Sequence, residues 1–382
     1  MPVRVASVIT RLARGGSERR LYDVLRAVPA EHLVVVGRDS DPGAVAAVAA
    51  DHEVITCADL VRSVDARRDG RTLVRLVSIL RSRSVDVVHT HQSKAGLLGR
   101  VAARSARVPI VYHSASMASF GPGYGRAESR AFASAERLTA PLVARYFVVG
   151  TDLADRLAAN GVPRRKLQVV RSSLDLRTFV PASPGEVGGL RSAIGVAAEH
   201  PVVCYVGSLD ERKGVLSLPD VVGRAAAGRP VTLVVAGDGP GASTLEARRA
   251  RPPRGVELVL LGHVDDVASI MRASDLLVLP SSAEGLPQVL VQAASCGLPF
   301  VAYDVDGVRE LAALGAEGRV VVPVGDEGAL ASAIAAELDQ SPRSQAVAVD
   351  PSVWSAWDPA TVADQYRTAY EADLGRRLDV SP

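Results

Sequence analysis

Short runs rich in Val, Ile and Leu alternate with Ala-rich amphipathic segments along nearly the whole chain. Such alternation is typical of β-α-β units, in which a helix joins two parallel strands. We therefore expect an α/β fold of doubly wound parallel sheets. The apolar runs predict strands near residues 3–9, 33–37, 53–56, 86–90, 109–113, 145–149, 167–170, 202–206, 231–236, 256–261, 275–279, 299–302 and 319–322.

The alternation breaks between residues 175 and 201, where several prolines and glycines occur. Because these residue types mark loops, this stretch predicts a linker between two domains. A chain of 382 residues also exceeds one ordinary hydrophobic core. We predict a first Rossmann-like domain at residues 1–180, a second at 181–358, and a terminal segment, 359–382, whose helix packs back against the first domain.

Composition excludes several classes of protein. The formal net charge of +2 gives no global reason to expect a nucleic-acid partner. Three widely spaced cysteines form neither a disulfide framework nor a zinc site. The chain has no apolar run of the ~18 residues that a membrane span needs, and its first residues resemble a strand rather than a signal peptide. We therefore expect a cytoplasmic protein. Peripheral contact of exposed arginines with a membrane is an open alternative, and the sequence assigns no oligomeric state.

Two motifs in the first half follow predicted strands. Gly15 and Gly16 come after the first strand, where backbone amides can approach an anion at a helix N-terminus, although a purely structural turn fits equally well. His89 and His91 end the fourth strand and are expected to point to opposite faces, which makes them a poor metal pair. Lys94 opens the next helix, where it either meets an anion or is solvated.

The loop after the first strand of the second half contains Arg212, Lys213 and Gly214. A cationic loop before a helix suits a diphosphate, although an ordinary exposed charge pair is the alternative. Only three lysines occur in this Arg-rich chain, so a lysine at this position favours a required point charge.

The segment 237–242 fits the G-x-G-x-x-A dinucleotide fingerprint. It does not follow the first strand of its domain, and the next acidic residue, Glu257, lies at the start of the following strand. We therefore interpret it as a tight turn lining the cleft, and a dehydrogenase as a weak alternative.

The densest motif follows the strand near 275–279, where a Ser-rich loop leads to Glu284, Gly285, Leu286 and Pro287. These residues are expected to begin a helix whose first amides are free and whose dipole suits the carboxylate. Gln292 is expected two turns further along the same helical face.

In their order, these motifs resemble the retaining glycosyltransferases of family 4, which have the two-domain GT-B fold. The resemblance implies transfer of a hexose-type sugar from a nucleotide donor to a hydroxyl, without a metal or other cofactor. It implies catalytic roles for Lys213, Glu284, Arg212 and His113, and acceptor-side positions for His91, Lys94 and Ser116. It implies donor binding by Gly15, Gly16, Gly207, Ser208, Gly237, Gly262, His263, Val264, Gly285, Leu286, Pro287 and Gln292.

Three positions depart from the family pattern. Gln292 replaces the second glutamate of Glu-x7-Glu, Ser208 replaces a common arginine, and Ser116 replaces a histidine. Either His113 takes over the role of that histidine, or the donor sugar differs. UDP-sugars are the expected donors, GDP-mannose the next. The acceptor is a polysaccharide, a glycolipid precursor or a secondary metabolite such as an antibiotic. Two alternatives stay open: a nucleotide-sugar 2-epimerase of the same fold, and a nucleotide-sugar-binding protein without turnover.

Overall fold

The computed structural model describes residues 2–13, 18–121, 124–183, 185–197, 199–314, 319–339, 351–375 and 377–378. The chain divides into two compact units. The first unit contains Met1–Ser173 together with Ala356–Pro382, and the second contains Leu174–Ser355.

The described residues form thirteen strands, and every pair of neighbours is parallel. The strands are nearly continuous apolar runs because helices cover both faces of a parallel sheet. They are β1 Arg4–Ile9, β2 Glu31–Gly37, β3 Glu53–Cys57, β4 Val87–His91, β5 Ile110–Ala115, β6 Arg145–Val148, β7 Leu167–Val169, β8 Val202–Val206, β9 Val231–Ala236, β10 Val256–Gly262, β11 Leu276–Leu279, β12 Phe300–Tyr303 and β13 Arg319–Val322.

Fourteen α-helices occur in the described part of the chain. They are α1 Arg19–Ala27, α2 Pro42–Ala49, α3 Ala66–Ser82, α4 Ser93–Ala106, α5 Arg126–Thr139, α6 Thr151–Ala159, α7 Val187–Ala193, α8 Leu218–Ala226, α9 Ala242–Arg249, α10 Val267–Ala273, α11 Gln288–Ser295, α12 Val308–Ala312, α13 Glu327–Asp339 and α14 Pro359–Leu374. None of the described helices is both long and apolar enough to cross a membrane.

The first unit contains a seven-stranded sheet in the order β3-β2-β1-β4-β5-β6-β7. On one face, α1 and α14 bury Val24, Phe147, Tyr366 and Tyr370 against the sheet. On the other face, α3 and α4 pack over an aliphatic cluster. The terminal helix therefore supplies part of the core of the first unit.

The second unit contains a six-stranded sheet in the order β10-β9-β8-β11-β12-β13. Its segment 175–201, predicted as a linker, contains α7. The Arg191 guanidinium on α7 lies 2.6 Å from Asp275, and Asp275 also accepts a hydrogen bond from the Val202 amide. This nearly buried ion pair holds α7 beside the first strand of its sheet.

The strand order of each sheet reverses at one point, between β1 and β4 in the first unit and between β8 and β11 in the second. The loops that leave such neighbouring strands diverge, which opens a crevice at their carboxyl ends. Ligands of open α/β sheets bind at these two switch points. Functional residues are therefore expected in the loops after these four strands.

Candidate functional site

Lys213 lies in a tight turn that follows β8. The Asp210 side chain accepts a hydrogen bond from the Lys213 amide at 3.2 Å, which closes the 3₁₀ turn Glu211–Lys213. Gly214 ends that turn at φ +67°, and a Cβ there would lie 2.2 Å from the Pro280 carbonyl oxygen. Only glycine allows this close approach, so the cationic turn is packed directly on the loop after β11.

Glu284 comes from that second loop and meets Lys213 at the switch point. The Lys213 Nζ lies 2.5 Å from Glu284 Oε1, and the side chains are only 19% and 10% exposed. Arg212 joins the same two loops, because its guanidinium donates to the Ala283 carbonyl at 3.3 Å and its own carbonyl accepts from the Ser282 amide at 2.8 Å. The fold thus places a shielded ammonium and carboxylate side by side, from loops 71 residues apart.

Glycines of three consecutive loops pack backbone against backbone at the same edge. A Cβ on Gly237 would lie 1.8 Å from the Gly207 carbonyl oxygen, and the Gly237 amide donates to the Gly262 carbonyl at 2.7 Å. A Cβ on Gly239 or Gly241 would come within 2.8 Å of Leu209 backbone atoms. The G-x-G-x-x-A spacing is therefore explained by loop packing.

Tyr205 is a site residue that the sequence analysis missed. Its phenol is buried in β8 and donates to the Ser208 carbonyl at 2.7 Å, and the Ser208 hydroxyl donates to Asp210 at 2.6 Å. Burial, with smaller contributions from nearby Asp210 and Glu284, raises the pKa of Tyr205, so it stays a neutral donor. Within an apolar strand run, no sequence signal separates this tyrosine from an ordinary core residue.

The helix after Glu284 begins later than expected. It starts at Gln288 with Pro287 as its N-cap, so Glu284 lies in the preceding loop. The prediction that Glu284 and Gln292 share a helical face is therefore wrong. Gln292 is half-buried on the second turn of α11, while Gly285, Leu286 and Pro287 are buried.

Gly307, in the loop after β12, was also missed. It has φ +79°, and a Cβ there would lie 2.6 Å from the Gly285 carbonyl oxygen and 2.8 Å from the Leu286 Cα. The loop that carries Glu284 therefore packs directly against the backbone of Gly307, where a side chain would not fit. A glycine immediately before the short helix α12 was the only available signal.

The residues after β10 are the more accessible part of the same edge. Gly262 ends the strand at φ +65° with open space where a Cβ would be. The His263 ring is half-exposed, 3.4 Å from the Asp265 carboxylate, and Val264 is half-buried. The Gly237 amide, which donates to the Gly262 carbonyl, connects this accessible segment to the glycine loops of the same sheet edge.

The positions of His89 and His91 in β4 contradict the expectation that their side chains point to opposite faces of the sheet. Alternate residues of a strand share a face, and the rings of His89 and His91 stack at 4.7 Å. His89 bridges the Tyr370 hydroxyl at 2.7 Å and the Ser114 hydroxyl at 2.8 Å. Burial lowers the pKa of His91 to about 3 and that of His89 well below its usual range, so both rings are neutral.

His113 lies on the opposite face of the first sheet, against α4. Its Nδ1 is 2.9 Å from the Thr90 hydroxyl, and the ring is only 5% exposed. Gly96 makes space for it, since a Cβ there would lie 2.8 Å from the ring. Burial, followed by the nearby Arg100 charge, lowers the pKa of His113. This interior position gives no support to the predicted catalytic role.

The Lys94 ammonium lies in a mostly shielded ion pair rather than in solvent. Its Nζ lies 2.5 Å from the Asp69 carboxylate and also donates to the Ser63 carbonyl. Ser116 follows β5 and is half-buried. Gly15 and Gly16 lie outside the described residues. Across the described ranges, no group of three or more His, Cys, Asp and Glu side chains is arranged to hold a metal ion.

Each half of the chain matches a model of a known protein family. The family model described as Glycosyl transferase 4-like domain matches residues 15–172, and the model described as Glycosyl transferases group 1 matches residues 200–340. The chain belongs to this glycosyltransferase family. The matches place Lys213 and Glu284 in the group 1 half and the buried histidines in the 4-like half.

Two curated relatives are each 30% identical to the chain. One, from Escherichia coli, is named UDP-Gal:alpha-D-GlcNAc-diphosphoundecaprenol alpha-1,3-galactosyltransferase, and the match covers 65% of both chains. The other, from Mycobacterium tuberculosis, is named D-inositol 3-phosphate glycosyltransferase, and the match covers 62% of this chain and 50% of the relative. The chain thus matches between half and two thirds of the length of these relatives.

A solved structure supports the fold of the whole chain. Anabaena HepE in complex with UDP and glucose superposes with a TM-score of 0.77 at 19% identity, covering 97% of this chain and 100% of HepE. The predicted GT-B fold is confirmed.

Proposed function

We propose that the chain is a retaining glycosyltransferase that moves a hexose-type sugar from a nucleotide donor to a hydroxyl acceptor. The observation that carries the proposal is the Lys213–Glu284 pair at the switch point of the second sheet. An ammonium and a carboxylate in contact provide a group for a diphosphate and a group for sugar hydroxyls. Membership of the family supports transfer as the reaction.

Lys213 is proposed to stabilise the leaving diphosphate. Its charge is matched by Glu284 at 2.5 Å. A bound diphosphate carries more negative charge than one carboxylate and attracts the ammonium, which leaves Glu284 oxygens free to accept hydrogen bonds from the sugar. Because the pair is mostly shielded from water, the charge acts more strongly on the departing phosphate than it would in solution. Arg212 holds the two loops together.

The proposed reaction balances without a metal or other cofactor. The bond between the anomeric carbon and the phosphate oxygen breaks, and a bond to the acceptor oxygen forms on the same face. The acceptor proton passes to the departing phosphate oxygen, so the products are the glycoside and the nucleoside diphosphate. Lys213 supplies the electrostatic stabilisation that a metal ion supplies in other transferases.

UDP-sugars are the proposed donors, with GDP-mannose next. The name of the E. coli relative contains a UDP-sugar and a lipid diphosphate acceptor, and HepE was solved with UDP and glucose. These names support a UDP-sugar and an acceptor of the polysaccharide or glycolipid class, with a secondary metabolite as the remaining class. A cytoplasmic location is part of the proposal.

The test begins with thermal-shift screening against UDP-, GDP-, TDP- and ADP-sugars, followed by nucleotide release with and without acceptors. We expect Lys213→Ala to lower kcat by ~100-fold or more, because it removes the charge that stabilises the leaving group. Arg254→Ala, an exposed cation of the same unit, is the control. A loss of only a few-fold in Lys213→Ala would reject the role.

The same assay separates the two alternative functions. A 2-epimerase would convert the nucleotide sugar with no acceptor present. A protein without turnover would bind a donor but release no nucleotide with any acceptor. Release of nucleotide that requires both an acceptor and Lys213 supports the transferase.

A further inference from the structure

The outward face of α3 combines apolar and cationic side chains. Residues one helical turn apart line a single face, here Arg67, Arg71, Val74, Arg75 and Ser78, all of which are exposed. Val74 is 70% exposed, and Val64, just before the helix, is 74% exposed. We call this set, with Val64, the α3 face.

The α3 face carries a net positive charge. Arg71 is neutralised by two hydrogen bonds to Asp59, at 2.8 and 2.9 Å. The side chains of Arg67, Arg75 and neighbouring Arg62 make no hydrogen bond or ion pair with any residue that the structure describes. The acidic residue of α3, Asp69, points to Lys94 and is compensated there. The unpaired arginines are therefore available to an external anion.

The face is held firmly beside the carboxyl edge of the first sheet. The chain reaches α3 directly from the carboxyl end of β3, and Asp65 caps the helix by accepting from the Arg67 and Arg68 amides at 3.0 Å. Lys94, at the start of α4, bonds both to Asp69 and to the Ser63 carbonyl. Lys94 thus fixes the end of α3 that carries Val64 and Arg67.

We propose that the α3 face docks on an anionic lipid bilayer. Unpaired arginines attract lipid phosphates, and exposed valines between them gain by entering the interface between headgroups and acyl chains. A nucleic acid would use the arginines but would gain nothing from two valines. Docking would bring the carboxyl edge of the first sheet close to the membrane surface.

The test is sedimentation of the purified chain with vesicles, which needs neither donor nor acceptor and is therefore independent of the proposed transfer activity. We expect binding to vesicles of phosphatidylcholine and phosphatidylglycerol, and none to phosphatidylcholine alone. The double variant Arg67→Gln/Arg75→Gln should bind about 30-fold more weakly, since each arginine near an anionic surface contributes about fivefold. Val74→Ser should weaken binding several-fold.

Matched controls come from the second unit. Arg251→Gln/Arg254→Gln removes two exposed charges, and Val324→Ser removes a valine that is 48% exposed; both should bind vesicles like the unaltered chain. Equal binding of the Arg67→Gln/Arg75→Gln variant would overturn the proposal. The proposal would also be overturned if Val74→Ser bound vesicles as well as the unaltered chain and heparin or RNA abolished the binding of both proteins equally. That result would describe a general polyanion surface.

Discussion

The two sheets use their switch points in different ways. In the second unit, the loops after β8 and β11 bring Lys213 and Glu284 together, and their side chains keep some exposure. In the first unit, His89 and His91 occupy the end of β4 but are no more than 4% exposed. A position at the carboxyl edge of a parallel strand is therefore not enough to make a residue accessible.

What covers the strand end accounts for the difference. Tyr366 and Tyr370 of α14 pack against the His89 ring, to which Tyr370 also bonds, and His91 stacks on His89. In the second unit, the strand ends lead into glycine loops that pack backbone on backbone, as between Gly237 and Gly207. The carboxyl edge of the first sheet is therefore closed over its histidines, whereas that of the second sheet leaves the Lys213–Glu284 pair partly exposed.

Acid should unfold the first unit before the second, and this is the largest effect that we expect. Burial lowers the pKa of His32 to about 4 and that of His91 to about 3, and it lowers those of His89 and His113 well below their usual range. These rings stay neutral when folded but gain protons when unfolded, below pH ~6.5. Stability therefore falls as pH falls, by about 1 kcal/mol per histidine and about 4 kcal/mol in total between pH 7 and 5.5.

Calorimetry across this pH range, with hydrogen exchange to assign each unit, checks the prediction. Constant stability between pH 7 and 5.5, or earlier exchange in the second unit, would contradict it.

Removing one buried histidine should destabilise the protein without slowing transfer. In His89→Ala, Tyr370 and Ser114 lose their partner and a cavity forms, which we expect to cost about 3 kcal/mol and to lower Tm by roughly 6–12 °C. His200→Ala, at a partly exposed site, should leave Tm unchanged. If kcat of the soluble, folded His89→Ala variant fell by more than a few-fold, the prediction would be wrong and the carboxyl edge of the first sheet would have a role in catalysis.

Gly307→Ala should disturb the carboxyl edge of the second sheet by displacing the loop that carries Glu284. The new Cβ would lie 2.6 Å from the Gly285 carbonyl oxygen, which displaces the loop and should lower kcat/KM for the donor about 10-fold. Gly228→Ala is a matched control, because φ there is +86° but the nearest atom is 3.9 Å away. Equal effects of the two substitutions would mean that backbone strain alone is responsible.

The smallest expected effect concerns the departure from the family pattern at Gln292. If this side chain meets the ribose of the donor, Gln292→Glu should tighten nucleotide binding by a few-fold, since a carboxylate accepts stronger hydrogen bonds than an amide. Isothermal titration calorimetry measures the change. Gln168→Glu, the same change in the first unit beside Arg145, is the control. Weaker or equal binding in Gln292→Glu would place the ribose elsewhere.

Much of the fold could be predicted because strand and helix periods are local properties. The order of apolar runs predicted all thirteen strands that the structure describes. Helix α7 was missed because the prolines and glycines of residues 175–201 predicted a linker there.

The sequence by itself determined the doubly wound architecture, the candidate loops and the residue types they present, including Lys213 and Glu284. Only the tertiary structure decided that these two side chains meet, that Lys94 holds α3, and that His113 is buried against α4. The reason is physical. Periodicity reports which face a residue takes within its own element, whereas its partners and its exposure depend on segments far away in the chain that pack over it.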